Sequence, residues 1–319
     1  MILSLKTKIF LISLLQYISK KFSEARFHLA LVLAAFCYSS LVVSTKYLSV
    51  HSFTFFEQLF WRVLIGTLIS GLILLIMNPK DLRVKKSDLK EYFLSALIFL
   101  GGFSTFIGGI YLGTPIAKAT ALNYCYPLVV VVLAHWWLKE KISFKQIAAV
   151  FLSIISALII MQFWEIKNYT DFKLGELVSL ANALFYGLII IFGRLTQRDN
   201  SNNPFQLLFF SHLILLPMVL LECIIFNQFI SSGDFRIDFS HTFTISEWLI
   251  LSFSSLIGGV MPLALIYYGT KKVSSTQASL LLLTEPLWVY LLGLIIFAEK
   301  LNLYEILGMF GIILSVLMA

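Results

Sequence analysis

Charge is what this chain has least of. Of its 319 residues 13% are Asp, Glu, Lys or Arg, against about 25% in a soluble globular domain. That scarcity argues against a water-soluble fold. The 59% hydrophobic content argues equally against disorder, which needs low hydrophobicity and high charge. Cysteine is nearly absent: Cys37, Cys125 and Cys223 all sit inside apolar runs with no CxxC or His/Cys spacing, so neither a disulfide framework nor a metal site is expected. There is no HExxH, DDxxD, GxSxG or Walker loop, so no enzyme activity and no cofactor are expected. Connections between apolar runs are too short to hold a soluble domain. A net charge of +7 could suggest a nucleic-acid partner in a soluble protein. In a chain with a mean hydropathy of +0.90 it reads instead as membrane orientation, with no nucleic-acid partner expected.

What is abundant fits a bilayer. A spanning helix needs about 20 mostly apolar residues. Ten runs approach this: 27–48, 54–77, 91–112, 116–138, 144–164, 174–195, 204–226, 246–269, 274–297 and 302–319. Transmembrane strands would be about ten residues long and alternate in polarity, which these unbroken runs do not. The expected fold is an all-α integral membrane protein of ten transmembrane helices. Residues 1–26 read as a basic interfacial segment or an extension, since only eleven residues separate Lys8 from Lys20. With the N-terminus inside, seventeen of the 24 Lys and Arg fall on cytoplasmic segments and six on outer ones, leaving Arg62 within a span. This bias predicts both termini in the cytoplasm.

An internal repeat divides the chain. Tyr126-Pro127-Leu128 through Glu140-Lys141 matches Glu285-Pro286-Leu287 through Glu299-Lys300 at a constant offset of 159. Tyr111 to Thr114 resembles Tyr267 to Thr270 at offset 156, and Ala35, Tyr38 and Lys46 correspond to Ala183, Tyr186 and Arg194 at offset 148. Residues 27–164 and 165–319 thus each hold five spans. An odd number makes the second repeat enter from the opposite side, as in the inverted repeats of secondary transporters, which bind solute near the midplane.

The paired Pro-x12-Glu signature (Pro127/Glu140 and Pro286/Glu299), Arg62 in Phe60-Trp61-Arg62 and the stretch from Glu285 to Leu301 resemble the EamA family of the drug/metabolite transporter superfamily. The resemblance covers about residues 27–319. It implies a ten-helix carrier in the cell membrane that moves small organic solutes by alternating access. Export of amino acids or related metabolites is the first expectation. Import of a nucleotide-linked or cofactor-like solute is the alternative, with a channel or an intramembrane enzyme as readings from other classes.

Ionisable residues inside spans are functional candidates by default. At 1.5 Å per residue, Arg62 lies about 13 Å and Glu285 about 18 Å from the outer ends of their runs. Both are near the middle of a core about 30 Å thick. The expectation is one polar cavity containing both, with Glu57 competing for Arg62. Tyr38, Tyr126, Tyr186, Trp288 and Asn123 complete the expected solute-binding set, and Asn182 and His212 are further deep polar residues. Pro127 and Pro286 are expected to bend their spans and to leave the carbonyls of Asn123 and Leu282 short of a donor. Gly101, Gly109 and Gly258 allow close helix contact, suited to rocking of the two halves. Glu140 and Glu299 read as anchors or gates at helix ends.

Overall fold

The computed structural model describes residues 5–50, 54–84, 86–165, 174–198, 203–229, 243–297 and 302–318. Every regular element among them is helical. In chain order these are α1 (Leu5–Val50), α2 (Phe55–Met77), α3 (Leu89–Tyr111), α4 (Ile116–Asn123), α5 (Tyr126–Trp137), α6 (Phe144–Ile160) and α7 (Leu174–Arg198). There follow α8 (Pro204–Phe229), α9 (Ile245–Ser254), a π-helical turn (Ser255–Val260), α10 (Met261–Thr270), α11 (Ser275–Leu282), α12 (Glu285–Phe297) and α13 (Leu303–Met318). Helices are what a lipid-embedded chain must form, because each satisfies its own backbone groups.

Among the described residues, eight segments are long and apolar enough to cross a bilayer: Ala25–Thr45, Phe55–Met77, Leu89–Tyr111, Lys118–Trp137, Leu174–Arg198, Pro204–Gln228, Ile245–Thr270 and Ser275–Ile296. The expected fifth and tenth runs form the shorter apolar helices α6 and α13. At 17 and 16 residues they are about 25 Å long. They are the last helices of the two repeats, and they pack against each other. The backbone of residues 5–24 continues into the first span as part of α1 without a break.

Sequence determines where several helices start. Thr54 caps α2 and Thr244 caps α9, each in a reciprocal box with the Glu three residues on. Ser143 and Gln146 form such a box on α6. On α13, 159 residues later, the Asn302 side chain accepts from Glu305 N at 2.9 Å while Asn302 N donates to Glu305 at 2.7 Å. The repeat is thus kept in the capping chemistry as well as in the sequence.

The protein is apolar outside and studded with small polar groups inside. Leu68, Ile76, Trp136, Phe151, Ile295 and Leu317 are exposed. Ser70, Ser153, Ser279 and Ser315 are fully buried, and each hydroxyl donates to a carbonyl of its own helix. Small residues let backbones approach where lipid gives no hydrophobic drive to associate. The most extensive packings are α3 on α7, α6 on α13, α2 on α8 and α1 on α10. Each joins a helix of one repeat to a helix of the other. Gly109 lies against Ser179 and the Gly175 carbonyl, Gly101 against the Phe185 ring, and Gly258 against the Leu41 backbone. These glycines therefore serve contacts between intertwined repeats rather than a seam between two separate halves.

Candidate functional site

Two spans are broken at mid-depth. The fourth stops at Asn123 and resumes at Tyr126, and the ninth stops at Leu282 and resumes at Glu285. Pro127 and Pro286 stand in the first turn of the resuming half-helices, where a missing N–H costs nothing. Short-range bonds stitch both junctions in the same way. Cys125 N donates to Leu122 O at 3.2 Å and Leu128 N to Cys125 O at 3.1 Å. Thr284 N donates to Leu281 O at 3.2 Å and Leu287 N to Thr284 O at 3.0 Å. Each proline marks a break between half-helices, a sharper change than the bend expected from sequence.

The residues opening α5 and α12 are repeat mates with different chemistry. Tyr126 is buried, and its hydroxyl donates to the Ser279 carbonyl on α11 at 3.0 Å. Glu285 makes no hydrogen bond or ion pair among the described residues. It is only partly accessible, and Tyr38, Tyr124, Tyr126 and Tyr186 stand near it. The Tyr126 and Tyr186 rings lie 4.5 Å apart, and the Tyr186 and Tyr38 rings 6.0 Å apart. The repeat mates Tyr38 and Tyr186 thus meet across the bundle. Trp288, one turn beyond Glu285, takes the edge of Phe36 at 5.5 Å. Three buried polar atoms here have no partner: Asn123 Oδ1, the Tyr186 hydroxyl and Trp288 Nε1. Unpaired buried polar atoms are costly and call for an explanation, a ligand among them. Tyr38, Tyr126, Tyr186, Glu285 and Trp288 thus gather around the two breaks, and Asn123 ends the first half-helix.

Arg62 stands apart from this group. Its guanidinium donates to Ser254 Oγ at 2.7 Å, Ser44 Oγ at 3.2 Å, Thr45 Oγ1 at 3.3 Å and Gln58 Oε1 at 3.3 Å. These bonds tie α2 to α1 and to the end of α9. No ion pair or hydrogen bond joins Arg62 to Glu285. Glu57 instead closes the capping box of α2. Asn182 donates to the Gly102 carbonyl at 2.6 Å, linking α7 to α3, and His212 bonds within its own helix to Leu208 O.

Two ion pairs join the fourth span to α7 near opposite ends. Lys118 and Glu176, each about 5% exposed, meet at 2.5 Å. At the other end Lys139 takes a left-handed backbone (φ 53°), uncommon for a side-chain-bearing residue, where the chain leaves α5 for Glu140. Glu140 approaches Arg194 Nε at 3.5 Å and accepts from Ser275 N at 3.0 Å. Arg194 also donates to the Thr270 carbonyl at 2.6 Å. Glu140 thus covers the first turn of α11, a favourable place for an anion. Its repeat mate Glu299 lies outside the described residues. Sequence reasoning does not single out the Lys118–Glu176 pair. The available signal was that both residues fall inside apolar runs.

The EamA-like transporter family matches residues 26–162 and again 173–319, one match for each repeat. The chain belongs to the EamA-like transporter family. Among relatives, an uncharacterized transporter of Archaeoglobus fulgidus is 23% identical over 65% of this chain and 67% of its own length. The uncharacterized transporter YoaV of Bacillus subtilis is 23% identical over 77% of this chain and 80% of its own. One from Buchnera aphidicola is 25% identical over 68% of each. A solved crystal structure superposes with a TM-score of 0.75 over 92% of this chain and 96% of its own at 16% identity, a likeness of fold. EamA membership and these transporter relatives make this a multi-pass membrane protein with a transport role.

Proposed function

We propose that this EamA protein is a ten-span carrier with inverted five-span repeats and cytoplasmic termini, working by alternating access in the cell membrane. Its solute site is the chamber between the two broken spans, formed by Tyr38, Asn123, Tyr126, Tyr186, Glu285 and Trp288. The observation that carries this reading is Glu285: a carboxyl at a helix break, near four tyrosines and without a hydrogen-bond or ion-pair partner among the described residues. Ionisable groups are costly in a membrane interior, and discontinuous helices there commonly frame solute sites. Arg62 belongs to the supporting frame, and Glu140 to the end of a moving span. Export of an amino acid or related metabolite is the first reading of the cargo.

The test is uptake into proteoliposomes from a broad metabolite panel, with and without an imposed proton gradient. Saturable exchange of at least one solute is expected, and its loss in Glu285→Ala ties exchange to the chamber. In a proton-driven cycle, Glu285→Gln exchanges solute but no longer accumulates it, since an amide cannot carry the proton. Unchanged accumulation in that variant would remove Glu285 from coupling. Orientation is checked with single cysteines at Ser87, expected inside, and Ser231, expected outside.

A further inference from the structure

The partners of the charged residues point to the charge of the cargo. Among the described residues, three basic side chains make polar contacts inside the bundle. Arg62 is bonded to Ser44, Thr45, Gln58 and Ser254; Lys118 pairs with Glu176; Arg194 pairs with Glu140. None reaches Glu285. Around that carboxyl stand tyrosines from α1, α5 and α7, with Tyr124 at the helix break and Trp288 on α12. Among the described residues no basic side chain pairs with Glu285, and the N-terminus of α12 itself contributes on the order of half a positive charge at most. The chamber is therefore net negative when Glu285 is ionised, and the faces of its aromatic rings are negative too.

We infer that the chamber selects solutes in which a positively charged amine adjoins an apolar or aromatic body. An ammonium group would replace Glu285's missing partner and could rest on ring faces at the same time. A carboxylate or phosphate placed there would instead face Glu285 with no cation between them. A bare metal cation would find one carboxyl among rings, far short of an oxygen cage. The unpartnered Tyr186 hydroxyl and Asn123 Oδ1 can accept from the remaining ammonium hydrogens, leaving the body against Trp288 and Phe36. This selectivity rests on the chamber being the solute site proposed above.

The test uses the purified full chain and four probes sharing one ring: tyramine, 4-ethylphenol, tyrosine and 3-(4-hydroxyphenyl)propionate. Binding is read from tryptophan fluorescence and ligand-induced thermal shift. Tyramine is expected to bind at least about tenfold more tightly than ethylphenol. The propionate should bind most weakly, with tyrosine between. Glu285→Gln should bring tyramine to within about twofold of ethylphenol while leaving ethylphenol unchanged, and its ligand-free melting point reports whether it folds. Three results would overturn the inference: propionate binding as tightly as tyramine, an amine preference that survives Glu285→Gln, or no tyramine binding at millimolar concentration. Liposome exchange separates this from the carrier reading. Tyramine that binds without being exchanged counts against the carrier and leaves the charge preference standing. Exchange of the propionate without tyramine does the reverse.

Discussion

Arg62 and Glu285 lie at similar depth and carry opposite charges, yet the protein treats them differently. The arginine is held by four neutral side chains from three helices. The glutamate has no hydrogen-bond or ion-pair partner among the described residues and stands near Tyr38, Tyr124, Tyr126 and Tyr186. A buried charge whose hydrogen bonds are all made holds helices together. One left bare destabilises the fold and remains available to a solute. The same contrast recurs between the repeats, where Tyr126 is tied to Ser279 and its mate Glu285 bonds to none of the described residues.

The sharpest test of this contrast is Glu285→Ala. Transport should fall to background while the melting temperature holds or rises, as when a strained functional group is removed. A large loss of melting temperature would mean that Glu285 also supports the fold. Glu176→Ala comes next, because it leaves Lys118 buried alone: denaturant titration should show a loss of about 3–5 kcal/mol, largely recovered in Lys118→Met/Glu176→Leu. Arg62→Ala should cost about 2 kcal/mol from its lost charge-assisted bonds. Combined with Glu285→Ala it should be additive in stability to within about 0.5 kcal/mol, as for sites that share no partners. Strong coupling would show that one polar cavity does contain both. The smallest effect belongs to Tyr126→Phe, which loses one hydrogen bond worth about 1 kcal/mol and should leave exchange rates within a few-fold of the wild type.

These contrasts also show how far the sequence could be read. Apolar runs located the helical segments because a bilayer demands length and apolarity, and lipid imposes that requirement locally. The prolines at 127 and 286 pointed to disturbed spans because their ring chemistry is local as well. Whether the disturbance was a bend or a full break depended on how neighbouring helices pack. Pairing was harder to read. Depth along a helix follows from counting residues, but the direction a residue faces around the bundle depends on packing between helices. Arg62 and Glu285 matched in depth and were not joined, whereas Lys118 and Glu176, 58 residues apart in sequence, were. The repeat carried more than the aligned motifs suggested, since the cap at Ser143 recurs at Asn302.

The interlocked packing of the repeats bears on how the protein is made. A chain inserted span by span must hold its first five helices in lipid before their main partners exist. Helix α3 waits for α7, α2 for α8 and α1 for α10. Helix α6 waits for α13, which brings Gly308 against the Ser156 carbonyl. Insertion and assembly are therefore separate stages here. Until these partners dock, the newborn spans present close-packing faces to lipid.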